Sequence, residues 1–260
     1  MNEVLPVFKS HYSIGRSILT LEEAGTSVEG GPDSIIDICL EGNLKKFYLV
    51  DDSMAGFLQG YKNATDAGLS MFFGLRMVLA ENIETKNADQ IKNECKCIIF
   101  CKNKAGYEKL IKIYSKAATD GFYHVPRVDF DLLHEYWSEE DLEFCVPFYD
   151  SFIYTNRLTL GNFVPNFSVV KPVFFLEDND VPLDSILEKA IREAAGNKYE
   201  IIKTKSIYYK NRSDFPHFLA FKCIGGFGAK GGRKTLEAPN FDHMCSDEFC
   251  FESWKEAANG

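Results

Sequence analysis

Two adjacent carboxylates, Asp51 and Asp52, close the apolar run of K-F-Y-L-V-D-D-S at Lys46–Ser53. Acids at the carboxyl end of a buried strand can ligate a divalent cation or divide acid and base roles, and α/β proteins build their sites there. His11 follows the first apolar run, Val4–Phe8, where a lone imidazole is more often an ordinary polar residue than a ligand. Asp178-Asn179-Asp180 is a tempting pair of catalytic acids, but beside Pro182 it reads as a turn and a helix start. His243, Cys245 and Cys250 suggest zinc, yet their spacing matches no pair-plus-pair pattern. The glycine-rich Gly225–Gly232 lacks the phosphate-loop spacing and does not join a strand to a helix, so it reads as a mobile linker.

The net charge of −9 argues against a free-standing nucleic-acid binder, because phosphate contacts need a concentrated positive surface. Eight cysteines without a secretory leader read as reduced thiols in a cytoplasm. No segment has membrane-spanning length. The 260 residues suit one large α/β domain or two small ones.

The elements that must position these residues alternate in type. Strands are expected at Val4–Phe8, Lys46–Val50, Leu69–Phe73, Cys95–Cys101, Leu142–Val146, Val173–Leu176 and Tyr199–Lys203. Gly74-Leu75-Arg76 follows Leu69–Phe73, with a further strand through Leu79. Helices are expected from Asp33 or Ser34 to Leu40, at Met54–Ala67, and from Asp129 or Asp131 to Trp137. The clearest is Asn103–Ala118, with Leu110, Ile111, Ile113, Tyr114 and Ala117 as its apolar stripe. Asp184–Ala195 follows with Ile186, Leu187, Ala190, Ile191 and Ala194 inward, then a helix near Ser213–Cys223 and a short one within Asn240–Ala258. Glu84–Glu94 reads as loop. Strand–helix alternation with acids at strand ends predicts a parallel α/β sheet or a distorted barrel.

Several stretches, in order along the chain, resemble the PHP domain that opens the alpha subunit of bacterial DNA polymerase III. N-K-A-G-Y-E-K-L-I-K-I-Y-S-K-A-A at Asn103–Ala118 is similar to the family helix N-x-x-G-Y-x-N-L-x-x-L-x-S-x-A. I-I-K-T-K-S-I-Y-Y-K-N-R-S-D at Ile201–Asp214 resembles V-A-T-N-D-V-H-Y-L and the acidic helix start after it. Val50-Asp51-Asp52-Ser53 stands where the family has T-D-H-G, Gly74-Leu75-Arg76 where it has G-x-E, and Phe174–Glu177 looks like F-Y-L-E. The resemblance implies a distorted (βα)7 barrel of mainly parallel strands over residues 1–224. Residues 225–260 are then a glycine-rich linker and a C-terminal segment that packs on the barrel or leads to a polymerase palm.

Intact members of the family hold divalent metals with His and carboxylates for phosphoester hydrolysis. Here the matching positions are Lys9, His11, Asp51, Asp52, Arg76, Ser206 and Tyr208: H-x-H has become Lys9-Ser10-His11, and D-x-H has become Ser206-Ile207-Tyr208. Protonated Lys and Arg cannot ligate a metal and add positive charge where a dication would sit. The expectation is a degenerate site with no metal, in which Lys9 or Arg76 pairs with Asp51 or Asp52. A surviving site for Mn, Zn or Mg would use His11, Asp51 and Asp52, with Asp150 or Glu177 as further acids.

The function implied is a non-catalytic, structural or partner-binding domain of a replicative polymerase. Its partners would be the palm and thumb or another replisome protein, with no direct nucleic-acid binding by this chain alone. A free-standing metal-dependent phosphoesterase and a stand-alone replisome-binding protein are the alternatives. The Phe- and Asn-rich Phe148–Val170 fits no family motif and is either a partner surface or buried packing.

Overall fold

The computed structural model describes residues 4–159, 161–224 and 246–259. In chain order its elements begin with β1 (Leu5–Phe8), α1 (Ile35–Glu41), β2 (Lys46–Asp51), α2 (Phe57–Asp66) and β3 (Ser70–Leu79). Then come α3 (Ala88–Ile91), β4 (Cys95–Cys101), α4 (Lys104–Thr119), β5 (Arg127–Val128), α5 (Phe130–Tyr136) and β6 (Leu142–Val146). The remainder is α6 (Phe152–Leu158), β7 (Val173–Leu176), α7 (Asp184–Ala195), β8 (Glu200–Ile207), a 3-10 turn at Arg212–Asp214, α8 (Phe215–Ile224) and α9 (Phe251–Asn259). The class is α/β, with strands and helices alternating along most of the chain.

The chain divides into two compact units: Met1–Phe73 with Glu177–Asp184 and Lys203–Gly260, and Gly74–Leu176 with Ser185–Ile202. The first unit is built on parallel strands. β1 pairs with β2 (Val7 opposite Tyr48) on one side and with β8 (Val7 opposite Ser206) on the other. Phe8 and Phe47 are fully buried there and meet edge to face at 5.9 Å. Ser34 caps α1 through Ile36 N–H, and Gly42 and the left-handed Asn43 end it. α2 starts at Phe57, later than its apolar spacing predicts, with Gly56 at its N-cap position.

The second unit is mixed. β4 runs antiparallel to both β3 and β6, whereas β3–β5 and β6–β7 are parallel. The expectation of mainly parallel strands therefore does not hold around β4, whose two pairings are antiparallel. β3 is one continuous strand and not two: Gly74 is no break, because the Phe100 ring occupies the place of its missing side chain, 2.7 Å from a Cβ built there. Asn103 caps α4 through Gly106 N–H, and Leu110, Ile113 and Ala117 are its buried stripe, while Ile111 is exposed. On α7, Ile186 likewise faces solvent, and Leu187, Ala190 and Ile191 face inward. The polar 84–94 stretch holds one short helical turn, α3.

Phe148–Val170 folds inward. Phe148, Phe152 and Phe163 are buried, and the ring of Phe167 lies about 6 Å from those of Phe130, Phe144, Phe152 and Tyr199. Of the two readings of this segment, buried packing is the one found for these aromatics, and Ser151 caps the short helix α6 within it. Gly225–Gly232, His243 and Cys245 lie outside the described residues. No helix among the described residues is long and apolar enough to cross a membrane.

Candidate functional site: an acid pair at the end of β2

β1 and β2 are parallel neighbours, so their carboxyl ends bring Lys9–Ser13 beside Asp51 and Asp52 in the first unit. Asp51, fully buried, is held by three donors. Its Oδ1 accepts from Ser10 N–H (2.9 Å) and Ser13 Oγ (2.8 Å), and its Oδ2 accepts from Ser10 Oγ (2.6 Å). Ser13 Oγ in turn accepts from Asp52 N–H at 2.9 Å, which stitches the loop after β1 to the end of β2. Charge-assisted bonds to a buried carboxylate satisfy it without a metal.

Asp52 points elsewhere. Its Oδ1 accepts from Lys9 Nζ at 3.1 Å, with the lysine side chain 7% exposed and the aspartate 32%. The ammonium thus sits against Asp52. In the second unit the Arg76 guanidinium bonds to the Asp150 carboxylate. The His11 ring lies tilted against that of Tyr12 with centroids 4.4 Å apart, and its buried Nδ1 has no hydrogen-bond partner among the described residues.

The end of β8 carries a second buried polar cluster in the same unit. Ser206 donates its N–H and Oγ to Glu177 (3.1 and 2.8 Å), and Asn179 Nδ2 adds a third donor at 3.0 Å. Burial pushes the Glu177 carboxyl above its ordinary range, and these donors with Lys205 pull partly against that. Lys205 Nζ donates to Asp178 C=O at 2.6 Å and lies 3.8 Å from Glu248, and burial lowers its pKa. Tyr208 stacks on Phe249 at 5.5 Å. Asp178–Asp180 forms a turn: Asp178 accepts from Asp180 N–H, and Asp184 accepts from Asn179 and Val181 N–H.

Sequence reasoning placed the acids and Lys9 but missed Ser10, Ser13, Asn179 and Lys205. The available signal was that a buried carboxylate needs donors, and the serines two and five residues after β1 are the nearest hydroxyls in line with the β2 end.

The donor set does not suit a cluster of divalent metals. One position holds an ammonium, Asp51 has both oxygens engaged, and Ser206 and Tyr208 bring neutral hydroxyls. Among the described residues no three His, Cys, Asp or Glu side chains come together as a group that could hold a metal ion.

Comparison with known proteins agrees with the motifs. The PHP domain model matches residues 27–150. DNA polymerase III subunit alpha of Chlamydia pneumoniae is 33% identical over 86 residues, 32% of this chain and 7% of that protein. Its counterpart in Borreliella burgdorferi is 31% identical over 105 residues, 39% of this chain and 9% of the relative. That of Helicobacter pylori J99 is 30% identical over 86 residues, 32% and 7%. The aligned stretch therefore spans under a tenth of the relatives' length. Residues 27–150, which carry the acid pair, Arg76 and helix α4, match the PHP domain model, and part of the chain is similar to DNA polymerase III alpha subunits.

Proposed function

We propose that the chain is a PHP domain of, or derived from, a replicative DNA polymerase of the polymerase III alpha type, and that it serves as a non-catalytic structural or partner-binding domain in DNA replication. The observation that carries this reading is the Lys9–Asp52 ion pair beside an Asp51 already saturated by Ser10 and Ser13. A lysine in the place of a metal ligand compensates the acid charge that a dication would otherwise neutralise. On this reading Lys9, His11, Asp51, Asp52, Arg76, Ser206 and Tyr208 mark a degenerate metal site, and no cofactor is needed.

The same proposal includes the distorted (βα)7 barrel over 1–224, which the parallel β1–β2, β1–β8 and β6–β7 pairs support. It also takes 225–260 as a linker and a C-terminal segment, a polymerase palm or thumb or another replisome protein as the partner, and the cytoplasm as the compartment. The test is a phosphomonoesterase assay with Mn²⁺, Zn²⁺ and Mg²⁺ in turn. Turnover equal to a chelator-treated control is expected, and metal-dependent hydrolysis that Asp51→Asn abolishes would return the chain to the free-standing phosphoesterases.

A further inference from the structure

Two exposed excursions of the second unit share one buried anchor. Residues 81–94 lie between β3 and β4, and among their described side chains only Ile83 is buried. Residues 120–126 join α4 to β5, with Phe122, His124 and Val125 exposed. Arg127, fully buried at the start of β5, reaches both. Its Nε donates to Gly121 C=O at 3.0 Å, and its Cζ lies 5.2 Å from the centre of the Tyr123 ring. Toward the other excursion, Nη2 donates to Ile83 C=O (2.8 Å) and Nη1 to Thr85 C=O (3.1 Å) and Glu94 Oε1 (2.9 Å). Asp129 Oδ2 accepts from Ile83 N–H at 2.9 Å, and Asn93 Oδ1 accepts an exposed bond from Asn162 N–H at 3.3 Å.

We infer that the Arg127 guanidinium is a latch that makes 81–94 and 120–126 one cooperative unit, opening and closing together while β3, β4 and α4 stay folded. Segments with few buried apolar side chains open at a cost well below that of global unfolding. Each excursion is such a segment, and neither has a core of its own. A guanidinium with no exposed surface couples them. Stripping it of the partners on one side leaves charge and donors buried and unsatisfied, so the other side loses its reason to stay closed. The neighbouring elements have independent support: β3 and β4 pair from Gly74–Phe100 to Leu79–Cys95, and α4 buries Leu110, Ile113 and Ala117. The open form brings to water a guanidinium that the closed form hides. The inference concerns the second unit alone and is independent of the acid pair.

Native-state amide exchange on the whole chain tests it, with one reporter in each excursion. Ile83 N–H bonds Asp129, and Tyr123 N–H bonds Val125 C=O at 3.1 Å. Glu94→Gln removes the carboxylate charge on one side of the latch. It should accelerate exchange about tenfold at Ile83 and at Tyr123 alike, with α4 unchanged. Tyr123→Ala, on the other side, should accelerate Ile83 in return, because a coupling between two segments is reciprocal. Acceleration confined to the excursion that carries the substitution overturns the proposal. So does acceleration that spreads equally into α4 and β4, which would make Arg127 a support of the whole unit. If either variant fails to fold, the unaltered chain in low denaturant decides. Ile83 and Tyr123 should then share one opening equilibrium within about twofold and one denaturant dependence, and two distinct openings overturn the proposal.

Discussion

Asp51 has no exposed surface, and its three donors come from two serines on the loop after β1. Removing the carboxylate leaves those donors buried and unpaired, so Asp51→Ala should cost about 3 kcal/mol or more in urea unfolding, whereas Asp51→Asn, which keeps one acceptor oxygen, should cost less. Lys9→Met should cost only about 1 kcal/mol, because its Asp52 partner is partly exposed and water can replace the ammonium. Glu177 gives a pH signature. Burial raises its pKa above the ordinary 4.5, so between 4.5 and the raised folded value the native state binds more protons than the unfolded chain. Stability must then fall as pH rises through that window, and unfolding of Glu177→Gln measured across the same pH range should lack this component. A Glu177→Gln curve that keeps the full decline would show that the carboxyl is not the source.

The elements were legible where a local pattern determines them. β4, β7 and α7 have the bounds that the sequence predicts, since the two strands are short, mostly apolar runs and the helix repeats its apolar residues without interruption. β3 was read as two pieces because a glycine inside a strand ordinarily marks a break, and the Phe100 ring that fills the gap belongs to another strand. The exposure of Ile111 and Ile186 was illegible for a similar reason: an apolar residue at the edge of a helix stripe is buried only if a neighbouring element covers it. Gly106 shows the opposite case. A Cβ there would lie 2.1 Å from Asp141 C=O, which gives the glycine in N-K-A-G-Y a steric cause. Gly106→Ala should force α4 away from the 138–142 turn and cost about 3 kcal/mol, seen as a lowered unfolding midpoint. At the other end of the chain, Arg212 bonds Glu248 and Glu256, its backbone N–H bonds Glu252, and these acids lie on one side of α9 and the turn before it. Arg212→Ala leaves three carboxylates facing one another, and amide exchange in α9 should accelerate about tenfold with little change in α4.

At the scale of the whole molecule, the site was half legible. A buried strand ending in two acids announced itself, and so did a lysine close to them, because both are carried by residue type. Which cation meets which acid was not, since Lys9 and Asp52 are 43 residues apart and Arg76 and Asp150 are 74 apart. Those pairings are set by strand order, and β4's antiparallel course was not visible in alternation alone. The central claim is that the ammonium of Lys9 has taken the place of a dication at the end of β2, and metal-dependent stability tests it most directly. A site that bound Mn²⁺ or Zn²⁺ at a hundredfold excess over its Kd would stabilise the fold by about 2.7 kcal/mol and raise Tm by several degrees. The account predicts that saturating Mn²⁺, Zn²⁺ or Mg²⁺ leaves Tm unchanged relative to chelator. A rise of several degrees that Asp51→Asn or Asp52→Asn abolishes would contradict it.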